Sequence, residues 1–457
     1  MSHCFDPTLL RDYDLRGTVG RTLNATDAWA LGRSFGTVIA RAGGSRVAVG
    51  YDGRLSSPML EAALIDGLTA SGIDVLRIGL GPTPMLYFAE MTCEVDGGIQ
   101  ITGSHNPGDQ NGFKLVQRHA PFFGADIARL GRMAAAGDWD GGAGRVKTIA
   151  LTDRYVARLM QGFDGRAWRI GWDAGNGAAG PVVEALVQLL PGEHHRLFTQ
   201  IDGNFPNHHP DPSVEANLAD LRALVLDKQL DFGVAFDGDG DRIGVIDGLG
   251  RTIAGDQLLG LFADDLLEKH PGARIIADVK TSQAVFDRIA ARGGRPDMWK
   301  TGHSHIKSRM KQIGALLAGE MTGHLFFADD YYGYDDGLYA AIRLIRAASG
   351  AGGSITDRRS AMPVMAATPE LHIPVDDMRK FAVIDEICAR LAASGTDMQA
   401  IDGARVTTAD GWWLLRASNT QAALVARAES IDSAGLARLI AEIDSHLVAS
   451  GLDRVKI

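Results

Sequence analysis

The stretch RVAVGYDGR, residues 46–54, predicts a short buried strand that ends at an aspartate and leads into a helix over residues 59–71. The same order of apolar strand, aspartate and helix occurs twice more along the chain. Helices and strands that alternate at these lengths are typical of parallel α/β units, so the repetition indicates three copies of one α/β module. The three aspartates are Asp52, Asp173 and Asp278.

Each copy also has a polar loop further along the chain, after its aspartate. Ligands of open α/β sheets bind beyond the carboxyl ends of the strands. We therefore expect the polar loops of several modules to meet at one cleft. The loops contain Ser104, Asp237 and Glu320.

Three boundaries between domains, here called seams, are predicted at residues 145–151, 248–253 and 359–374. Beyond the last seam, two strands are predicted over residues 412–416 and 422–428, flanked by helices, which indicates an α+β unit rather than a fourth copy. We predict an α/β fold of three similar modules with mixed sheets, plus a C-terminal α+β domain, around a central cleft. The predicted domains are residues 1–148, 149–251, 252–365 and 366–457.

Composition is that of an ordinary globular enzyme, with 46% apolar and 22% charged residues. The formal net charge of −10 leaves no surplus of basic residues for nucleic acid, although a small phosphorylated ligand stays compatible. Three dispersed cysteines are typical of a reduced, cytosolic protein. The first residues lack the apolar core of a signal peptide, and no apolar run reaches the ~18 residues that span a bilayer. We expect a cytoplasmic monomer with no nucleic-acid or membrane partner.

The loop DGDGDR, residues 237–242, is the strongest single motif. Its three alternating carboxylates can surround one hard divalent cation. A calcium-binding EF-hand loop would need glycine at its sixth position and glutamate at its twelfth, where this chain has Arg242 and Gly248, so that alternative fails. Mg²⁺ with one ligand from a phosphate fits better, with Arg242 bonded to the same phosphate. A nucleophilic Asp237 that forms an aspartyl-phosphate stays open as an alternative.

Ser104 lies in the loop TGSHNPGDQNGFKL, residues 102–115. A serine hydrolase would need a Gly-x-Ser-x-Gly elbow, which is absent because Asn106 stands two residues after the serine. Beside a metal loop, a serine hydroxyl that carries a phosphoryl group is chemically coherent. His105 is as consistent with structural hydrogen bonding as with catalysis. The basic residues that could spread the charge of the transferred group are Arg16, Lys114 and Arg242.

Two further loops could bind a sugar phosphate. GEMTGH, residues 319–324, carries a carboxylate, a hydroxyl and an imidazole that can pair with sugar hydroxyls, although a capped helix start would explain it equally well. RASNT, residues 416–420, joins two predicted strands and offers one cation followed by hydroxyl and amide donors. That pattern suits a phosphate cradle or a plain hairpin turn.

These four loops together resemble the α-D-phosphohexomutase family. The matching motifs are TGSHNP, DGDGDR, GEMTGH and RASNT, in the family's order and over essentially the whole chain. The Glu-Met form of the third motif is similar to the bacterial phosphomannomutase/phosphoglucomutase branch, since the phosphoglucosamine branch usually has glutamine after the glutamate.

The resemblance implies a role for each matched residue. Thr322 departs from the family's usual serine by one methyl group, so its contact can shift without being lost. The ligands of Mg²⁺ would be the phosphate on Ser104 with Asp237, Asp239 and Asp241. The catalytic residues would be Ser104, Lys114 as candidate general base, Arg16, His105 and Arg242. The substrate would be bound by Tyr13, Lys280, His303, Glu320, Thr322, His324, Arg416, Ser418, Asn419 and Thr420.

The reaction that this resemblance implies is reversible phosphoryl transfer between the 1- and 6-positions of hexose phosphates, those of glucose and mannose. Phosphorylated Ser104 would donate to the sugar, and a hexose 1,6-bisphosphate such as glucose 1,6-bisphosphate would be both intermediate and activator. That intermediate must rotate in the active site so that its other phosphate faces Ser104, and it must stay bound while it does so. This requirement predicts domain motion. The alternatives are a phosphoglucosamine mutase, a sugar-phosphate phosphatase that works through Asp237, and a phosphosugar sensor without activity.

Overall fold

The computed structural model describes residues 2–350, 353–419 and 421–453. These ranges fold into three α/β units and a C-terminal unit, each built on its own β-sheet. Among their helices, none is both long enough and apolar enough to cross a lipid bilayer.

The first unit is a seven-stranded sheet with helices packed against it. Residues 47–50 of its central strand are all buried, because elements cover both faces of the sheet. The first helix is capped by Asp27, whose side chain accepts a hydrogen bond from the Asn24 backbone N–H at 2.7 Å. The elements are β1 (Leu15–Thr18), α1 (Ala25–Arg41), β2 (Arg46–Tyr51), α2 (Ser57–Ala70), β3 (Asp74–Leu80), α3 (Thr83–Thr92), β4 (Gly97–Ile101), β5 (Gln110–Gln117), β6 (Ala120–Pro121), α4 (Ala125–Ala136) and β7 (Val146–Thr148).

The second unit has a five-stranded sheet and fewer helices. A short 3₁₀ turn, Glu215–Leu218, precedes its last helix. The elements are α5 (Thr152–Leu159), β8 (Trp168–Asp173), α6 (Gly180–Val187), β9 (Gly192–Leu197), α7 (Ala219–Lys228), β10 (Phe232–Phe236), β11 (Ile243–Asp247) and β12 (Thr252–Ile253). Because β12 pairs with β11, this sheet extends to Ile253.

The third unit has a four-stranded sheet, and the fourth unit has a six-stranded antiparallel sheet covered by two helices. The third contains α8 (Gly255–Lys269), β13 (Arg274–Asp278), α9 (Gln283–Ala291), β14 (Arg295–Trp299), α10 (His303–Ile313), β15 (Leu317–Gly319), β16 (Leu325–Phe327), α11 (Gly337–Ser349) and α12 (Ile355–Ser360). The fourth contains β17 (Ala366–Ala367), β18 (Leu371–Pro374), α13 (Lys380–Ala393), β19 (Met398–Gln399), β20 (Ala404–Thr408), β21 (Gly411–Ala417), β22 (Ala423–Ser430) and α14 (Ser433–Ala449).

The first three units share one four-stranded pattern. The strand orders are β3-β2-β4-β5, β9-β8-β10-β11 and β14-β13-β15-β16. In each, the first three strands are parallel and the fourth is antiparallel to the third. The prediction of three copies of one module, followed by a different C-terminal unit, is therefore confirmed.

This shared pattern also places the three polar loops at equivalent positions. Each loop joins the third strand of its module to the antiparallel fourth strand: β4 to β5, β10 to β11 and β15 to β16. The loops therefore leave the carboxyl ends of parallel strands, where α/β sheets bind their ligands.

The hydrophobic core is continuous through the first three units. One cluster of buried side chains includes Phe88 of the first unit, Tyr155 of the second and Tyr339 of the third. The fourth unit has its own core around Trp413, and a small cluster that includes Val279 and Trp412 joins it to the third unit. The first three units thus form one body, and the fourth is packed onto it.

Candidate functional site

Ser104 projects from the β4–β5 loop towards the loop of the second unit. Its Oγ donates a hydrogen bond to Asp237 Oδ2 at 2.9 Å, across 133 residues of sequence. Its backbone has a φ of 49°, in the left-handed region that residues other than glycine adopt at a cost of about 1–2 kcal/mol. The Thr102 hydroxyl accepts a hydrogen bond from the Ser104 N–H at 2.8 Å and helps to hold this conformation.

Arg54 holds the carbonyl side of the same loop. Its guanidinium is fully buried and bonds to Asp52 Oδ2 at 3.2 Å, which anchors it to the end of β2. The remaining donors all bond to backbone carbonyls of the Ser104 loop: those of Ser104 (2.8 Å), Asn106 (2.5 Å), Pro107 (2.5 Å) and Gln110 (2.8 Å). Arg54 therefore fixes the loop that aims Ser104, a role that the sequence analysis did not assign.

The acidic loop between β10 and β11 places three buried carboxylates around one point. Each of Asp237, Asp239 and Asp241 has an oxygen that lies within 4.8 Å of the others' oxygens. Burial and the two neighbouring carboxylates raise the pKa of Asp237 well above its usual range. Asp239 Oδ1 and Asp241 Oδ1 are buried and have no hydrogen-bond partner among the described residues. Oxygen ligands with spare lone pairs at this spacing fit a hard divalent cation.

Gly238 lets the acidic loop approach the Ser104 loop. A Cβ atom at this position would lie 2.4 Å from the Ser104 carbonyl oxygen, far inside normal contact distance. Only glycine permits this close approach, which brings the nucleophile and the carboxylates together.

Lys114 lies among the carboxylates. Its ammonium is 2.7 Å from Asp239 Oδ2 and 2.5 Å from Asp241 Oδ2. Burial alone would lower the pKa of Lys114, but Asp239 and Asp241 outweigh it and raise the pKa above its usual range. Lys114 is therefore a cation here, and the predicted role as general base requires these carboxylates to be neutralised by another partner.

Two other predicted residues, His105 and Arg16, lie beside Ser104 or its loop. His105 Nδ1 lies 3.3 Å from Ser104 Oγ, and burial followed by the charges of Arg242 and Arg16 lowers the pKa of His105 well below its usual range. Arg16 donates to the Asn106 side chain at 3.1 Å. The site thus combines one hydroxyl, a neutral imidazole and several permanent cations.

The GEMTGH loop contacts the acidic loop through His324. The Arg242 Nε–H donates to His324 Nε2 at 3.0 Å, and the two residues also form an isolated β-bridge. Glu320 is buried, which raises its pKa, and its Oε1 has no hydrogen-bond partner among the described residues. Thr322 is half-buried on the same turn. The loop is a hairpin turn between β15 and β16, not a helix start.

The RASNT loop contacts the site from the fourth unit. Arg416 donates to Asp402 at 2.9 Å, and the Asn419 amide donates to the Tyr13 hydroxyl. Tyr13 in turn donates to the Thr301 carbonyl at 2.9 Å, so it bridges the first, third and fourth units. Ser418 is buried on the same loop, and the predicted ligand Thr420 lies outside the described residues.

Lys280 and His303 complete the predicted set on the third unit. The Lys280 ammonium bonds to Glu370 Oε1 at 2.5 Å, next to the start of the fourth unit. His303 is buried at the N-terminus of α10, and both ring nitrogens have no hydrogen-bond partner among the described residues. The four loops therefore surround one region, as predicted.

Sequence reasoning missed several residues that support the site. Thr83 is the first residue of α3, and its hydroxyl donates a hydrogen bond to Asp239 Oδ2 at 2.5 Å. The Asp335 carboxylate lies behind His324 and bonds to Lys307 at 2.9 Å. The strand–aspartate–helix junction pointed towards Arg54, but no sequence signal distinguished Thr83, Asp335 or Lys307.

Comparison with known families covers nearly the whole chain. Four family models match in order, all described as phosphoglucomutase/phosphomannomutase. They are alpha/beta/alpha domain I over residues 7–134, domain II over residues 153–250, domain III over residues 254–365 and the C-terminal domain over residues 370–446.

Individual relatives agree with this result. A phosphomannomutase/phosphoglucomutase of Pseudomonas putida is 44% identical over 433 residues, which cover 94% of each chain. A phosphoglucomutase of Neisseria gonorrhoeae is 41% identical over 96% of this chain and 98% of its own. The crystal structure of a phosphoglucomutase/phosphomannomutase family protein from Burkholderia thailandensis superposes with a TM-score of 0.92 at 41% identity, covering 98% of both chains.

Proposed function

The chain belongs to the phosphoglucomutase/phosphomannomutase family, and on that basis we propose that it transfers a phosphoryl group reversibly between the 1- and 6-positions of hexose phosphates. The observation that carries this proposal is the 2.9 Å contact between Ser104 Oγ and Asp237, inside a loop of three buried carboxylates. A hydroxyl in that position is suited to carry the phosphoryl group.

The proposed reaction has two balanced transfers. In the first, the bond between phosphorus and Ser104 Oγ breaks while a bond forms to the free sugar hydroxyl, whose proton passes to a base. The resulting hexose 1,6-bisphosphate rotates within the site. In the second transfer Ser104 Oγ bonds to the phosphorus of the other phosphoryl group, its bond to the sugar oxygen breaks, and the base returns its proton to that oxygen. Arg16, Lys114 and Arg242 lie around the reacting end, where their charges would stabilise the transferred group.

Mg²⁺ is the cofactor that suits this site. Asp237, Asp239 and Asp241 would hold it together with an oxygen of the Ser104 phosphate, and the two unpartnered carboxylate oxygens support this assignment. When bound, the cation would neutralise phosphate oxygens and so favour attack on phosphorus. It would also compete with the Lys114 ammonium for Asp239 and Asp241, which would free Lys114 to act on the substrate.

The remaining loops would bind the rest of the substrate. Glu320, Thr322 and His324 would pair with sugar hydroxyls, and Lys280 and His303 belong to the same unit of the protein. The RASNT loop lies in the fourth unit and Ser104 in the first, which supports a separate site for the non-reacting phosphate. That phosphate would be bound by Tyr13, Arg416, Ser418, Asn419 and Thr420.

Movement of the fourth unit would let the bound hexose 1,6-bisphosphate rotate, so that its other phosphate faces Ser104. Its hydrophobic core is separate from that of the other three units, which supports its movement as a body. Its contacts with the first unit include an Arg11–Asp377 ion pair at 3.6 Å and the Tyr13–Asn419 hydrogen bond. The Arg11–Asp377 pair would break at small cost, since exposed ion pairs contribute about 0–1 kcal/mol.

Substrate preference follows the named relatives. We propose glucose and mannose phosphates as substrates, with glucose 1,6-bisphosphate as activator. The net charge of −10 supports small phosphates rather than nucleic acid as partners. A monomeric state and a cytoplasmic location stay predictions from the sequence.

Activity assays test the proposal directly. Glucose 1-phosphate, mannose 1-phosphate and glucosamine 1-phosphate are assayed with and without Mg²⁺, in the presence of glucose 1,6-bisphosphate. We expect Mg²⁺-dependent conversion of the first two sugars to their 6-phosphates. Preference for glucosamine 1-phosphate would contradict the proposed substrate, and release of inorganic phosphate without isomerisation would indicate a phosphatase.

The variant Ser104→Ala tests the proposed carrier. It removes the phosphoryl acceptor, so mutase activity should be lost even with added glucose 1,6-bisphosphate. Ser71→Ala is the matched control, because Ser71 is also a buried serine of the first unit and bonds only to the carbonyls of Arg33 and Gly67. Full activity in Ser104→Ala would exclude the mechanism.

A further inference from the structure

Asp335 is a buried carboxylate that the mechanism so far does not use. It lies just before α11 and forms an isolated β-bridge with Phe326 of β16, two residues after His324. This bridge fixes its backbone beside the GEMTGH loop. Its Oδ2 lies 3.0 Å from His324 Nδ1, an ion-pair contact, and neither atom has a hydrogen bond to any described residue.

The hydrogen bond from Arg242 determines which nitrogen of His324 carries hydrogen. Arginine Nε always carries a hydrogen and can only donate. Since Arg242 Nε bonds to His324 Nε2 at 3.0 Å, that nitrogen must offer its lone pair. The ring hydrogen therefore lies on Nδ1, which is 3.0 Å from Asp335 Oδ2 and 3.6 Å from Asp241 Oδ1.

Asp335 is itself held in place by Lys307. The Lys307 ammonium bonds to Asp335 Oδ1 at 2.9 Å and lies 4.3 Å from the centre of the Tyr87 ring, a cation–π contact with the first unit. One oxygen of Asp335 is thus occupied by Lys307, and only the other is directed at His324. This arrangement leaves the carboxylate little freedom to rotate.

We propose that Asp335 is a positioning residue that keeps His324 in the Nδ1–H form, so that its Nε2 lone pair can accept a hydrogen bond from a sugar hydroxyl. The inference rests on the proposed function, because it assumes that a sugar occupies the cleft. In the free protein the lone pair of His324 Nε2 accepts the hydrogen bond from Arg242. Nε2 would become available to the sugar when the Arg242 side chain rotates to bond to a phosphate. Arg242, Lys114 and Lys280 can only donate, so Nε2 of His324 would add a fixed acceptor to the one that Glu320 offers.

A metal site is the rival interpretation of the same atoms. Asp241, His324 and Asp335 each have a ligand atom within 4.8 Å of the others. A metal on His324 would require Nδ1 without hydrogen. The Lys114 and Lys307 ammonium groups already bond to Asp241 and Asp335, which lowers the need for another cation. The hydrogen on Nδ1 that the Arg242 bond requires therefore argues against His324 as a metal ligand.

The variant Asp335→Asn separates positioning from simple burial. Lys307 would bond to the amide oxygen, so the amide N–H groups would face His324 Nδ1. That contact favours hydrogen on Nε2, where it would oppose the Arg242 donor. Asp336→Asn is the matched control, since Asp336 is the adjacent buried aspartate and bonds to Tyr155, Tyr331 and the Tyr339 backbone instead. Burial raises the pKa of Asp336 to about 7, so a neutral amide is a mild change there.

Two measurements on the full chain with Mg²⁺ test the proposal. The first is ¹⁵N NMR of labelled histidines, with the His324 signals assigned by their absence in His324→Gln. The second is steady-state kinetics with glucose 1-phosphate. We expect Nδ1–H in the wild type and its loss in Asp335→Asn. We also expect kcat/KM of that variant to fall about tenfold or more, because the sugar hydroxyl loses its hydrogen-bond acceptor. Asp336→Asn should stay close to wild type in both measurements.

Clear outcomes would overturn the proposal. Hydrogen on Nε2 in the wild type would refute it from the wild-type spectrum alone, even if Asp335→Asn failed to fold. An unchanged His324 spectrum and kcat/KM in Asp335→Asn would also refute it, as would His324 signals that shift on Zn²⁺ addition in the manner of a metal-bound nitrogen. If the wild type showed no mutase activity, the proposed function would fail, whereas the NMR result would still decide whether Asp335 sets the form of His324.

Discussion

The variant Gly238→Ala is expected to separate the two loops that form the reacting centre. The added methyl carbon would lie 2.4 Å from the Ser104 carbonyl oxygen. Carbon and carbonyl oxygen normally stay at least about 3.3 Å apart, so one loop must move by about 0.9 Å. The Ser104 carbonyl cannot yield freely, because it accepts a hydrogen bond from buried Arg54 at 2.8 Å. The displacement therefore falls on the 2.9 Å contact between Ser104 Oγ and Asp237.

A shift of this size has a measurable cost for catalysis. Misplacement of a reacting group by about 1 Å reduces rates by about 100-fold, which equals about 2.7 kcal/mol of transition-state stabilisation. Overpacking should also lower the free energy of unfolding by about 1–3 kcal/mol. The assay is kcat/KM for glucose 1-phosphate with saturating Mg²⁺ and glucose 1,6-bisphosphate, together with urea denaturation.

Gly141→Ala is the control for this change. A methyl carbon at Gly141 would have no neighbour within 4 Å, so both kcat/KM and stability should match the wild type. If Gly238→Ala retained wild-type kcat/KM, the close approach of the two loops would not be needed for activity, and the reasoning would be refuted.

Three more predictions concern groups around this centre. Arg54→Lys loses most of the bonds to the Ser104 loop carbonyls, so kcat/KM should fall at least about tenfold and stability by about 2–4 kcal/mol; wild-type values in kinetics and urea denaturation would contradict this role. Lys114→Met leaves Asp239 and Asp241 without their cation, so without Mg²⁺ the free energy of unfolding should fall by about 3–5 kcal/mol, and added Mg²⁺ should restore part of it; an equal response to Mg²⁺ in variant and wild type would argue against a shared site. Burial lowers the pKa of His303 well below its usual range, so the folded protein keeps it neutral while the unfolded chain takes up a proton below about pH 6.5, and stability is lost by about 1.4 kcal/mol per pH unit as the pH falls. His303→Gln should lose this share of the slope between pH 6.5 and 5, and identical slopes by urea denaturation would disprove it.

The modular fold was predictable because its signal is local. Strands that end at Asp52, Asp173 and Asp278 occur in stretches where apolar residues, aspartate and helix follow one another directly. The convergence of the loops also followed from a general rule, since parallel strands place their carboxyl ends at one edge. The contact of Ser104 with Asp237 agrees with that expectation.

The supporting residues were not predictable from the sequence. Their partners are distant in sequence, and their contacts depend on the direction in which side chains point in the folded protein. The Arg54 guanidinium reaches carbonyls about 50 residues away, and a backbone carbonyl has no sequence signature. Asp335 faces His324 only because β16 and the start of α11 lie side by side. Lys114 was predicted as a general base from the resemblance, whereas its burial between two carboxylates, which raises its pKa, depends on the folded loops.

The central claim is that Ser104 carries the phosphoryl group. It is tested most directly by incubating the protein with glucose 1,6-bisphosphate and Mg²⁺ and then locating any covalent phosphate by intact-mass measurement and peptide mapping. We predict one phosphoryl group, on Ser104, that is transferred to sugar when hexose monophosphate is added. A phosphoryl group on Asp237, or mutase activity from a protein that never becomes phosphorylated, would contradict the account.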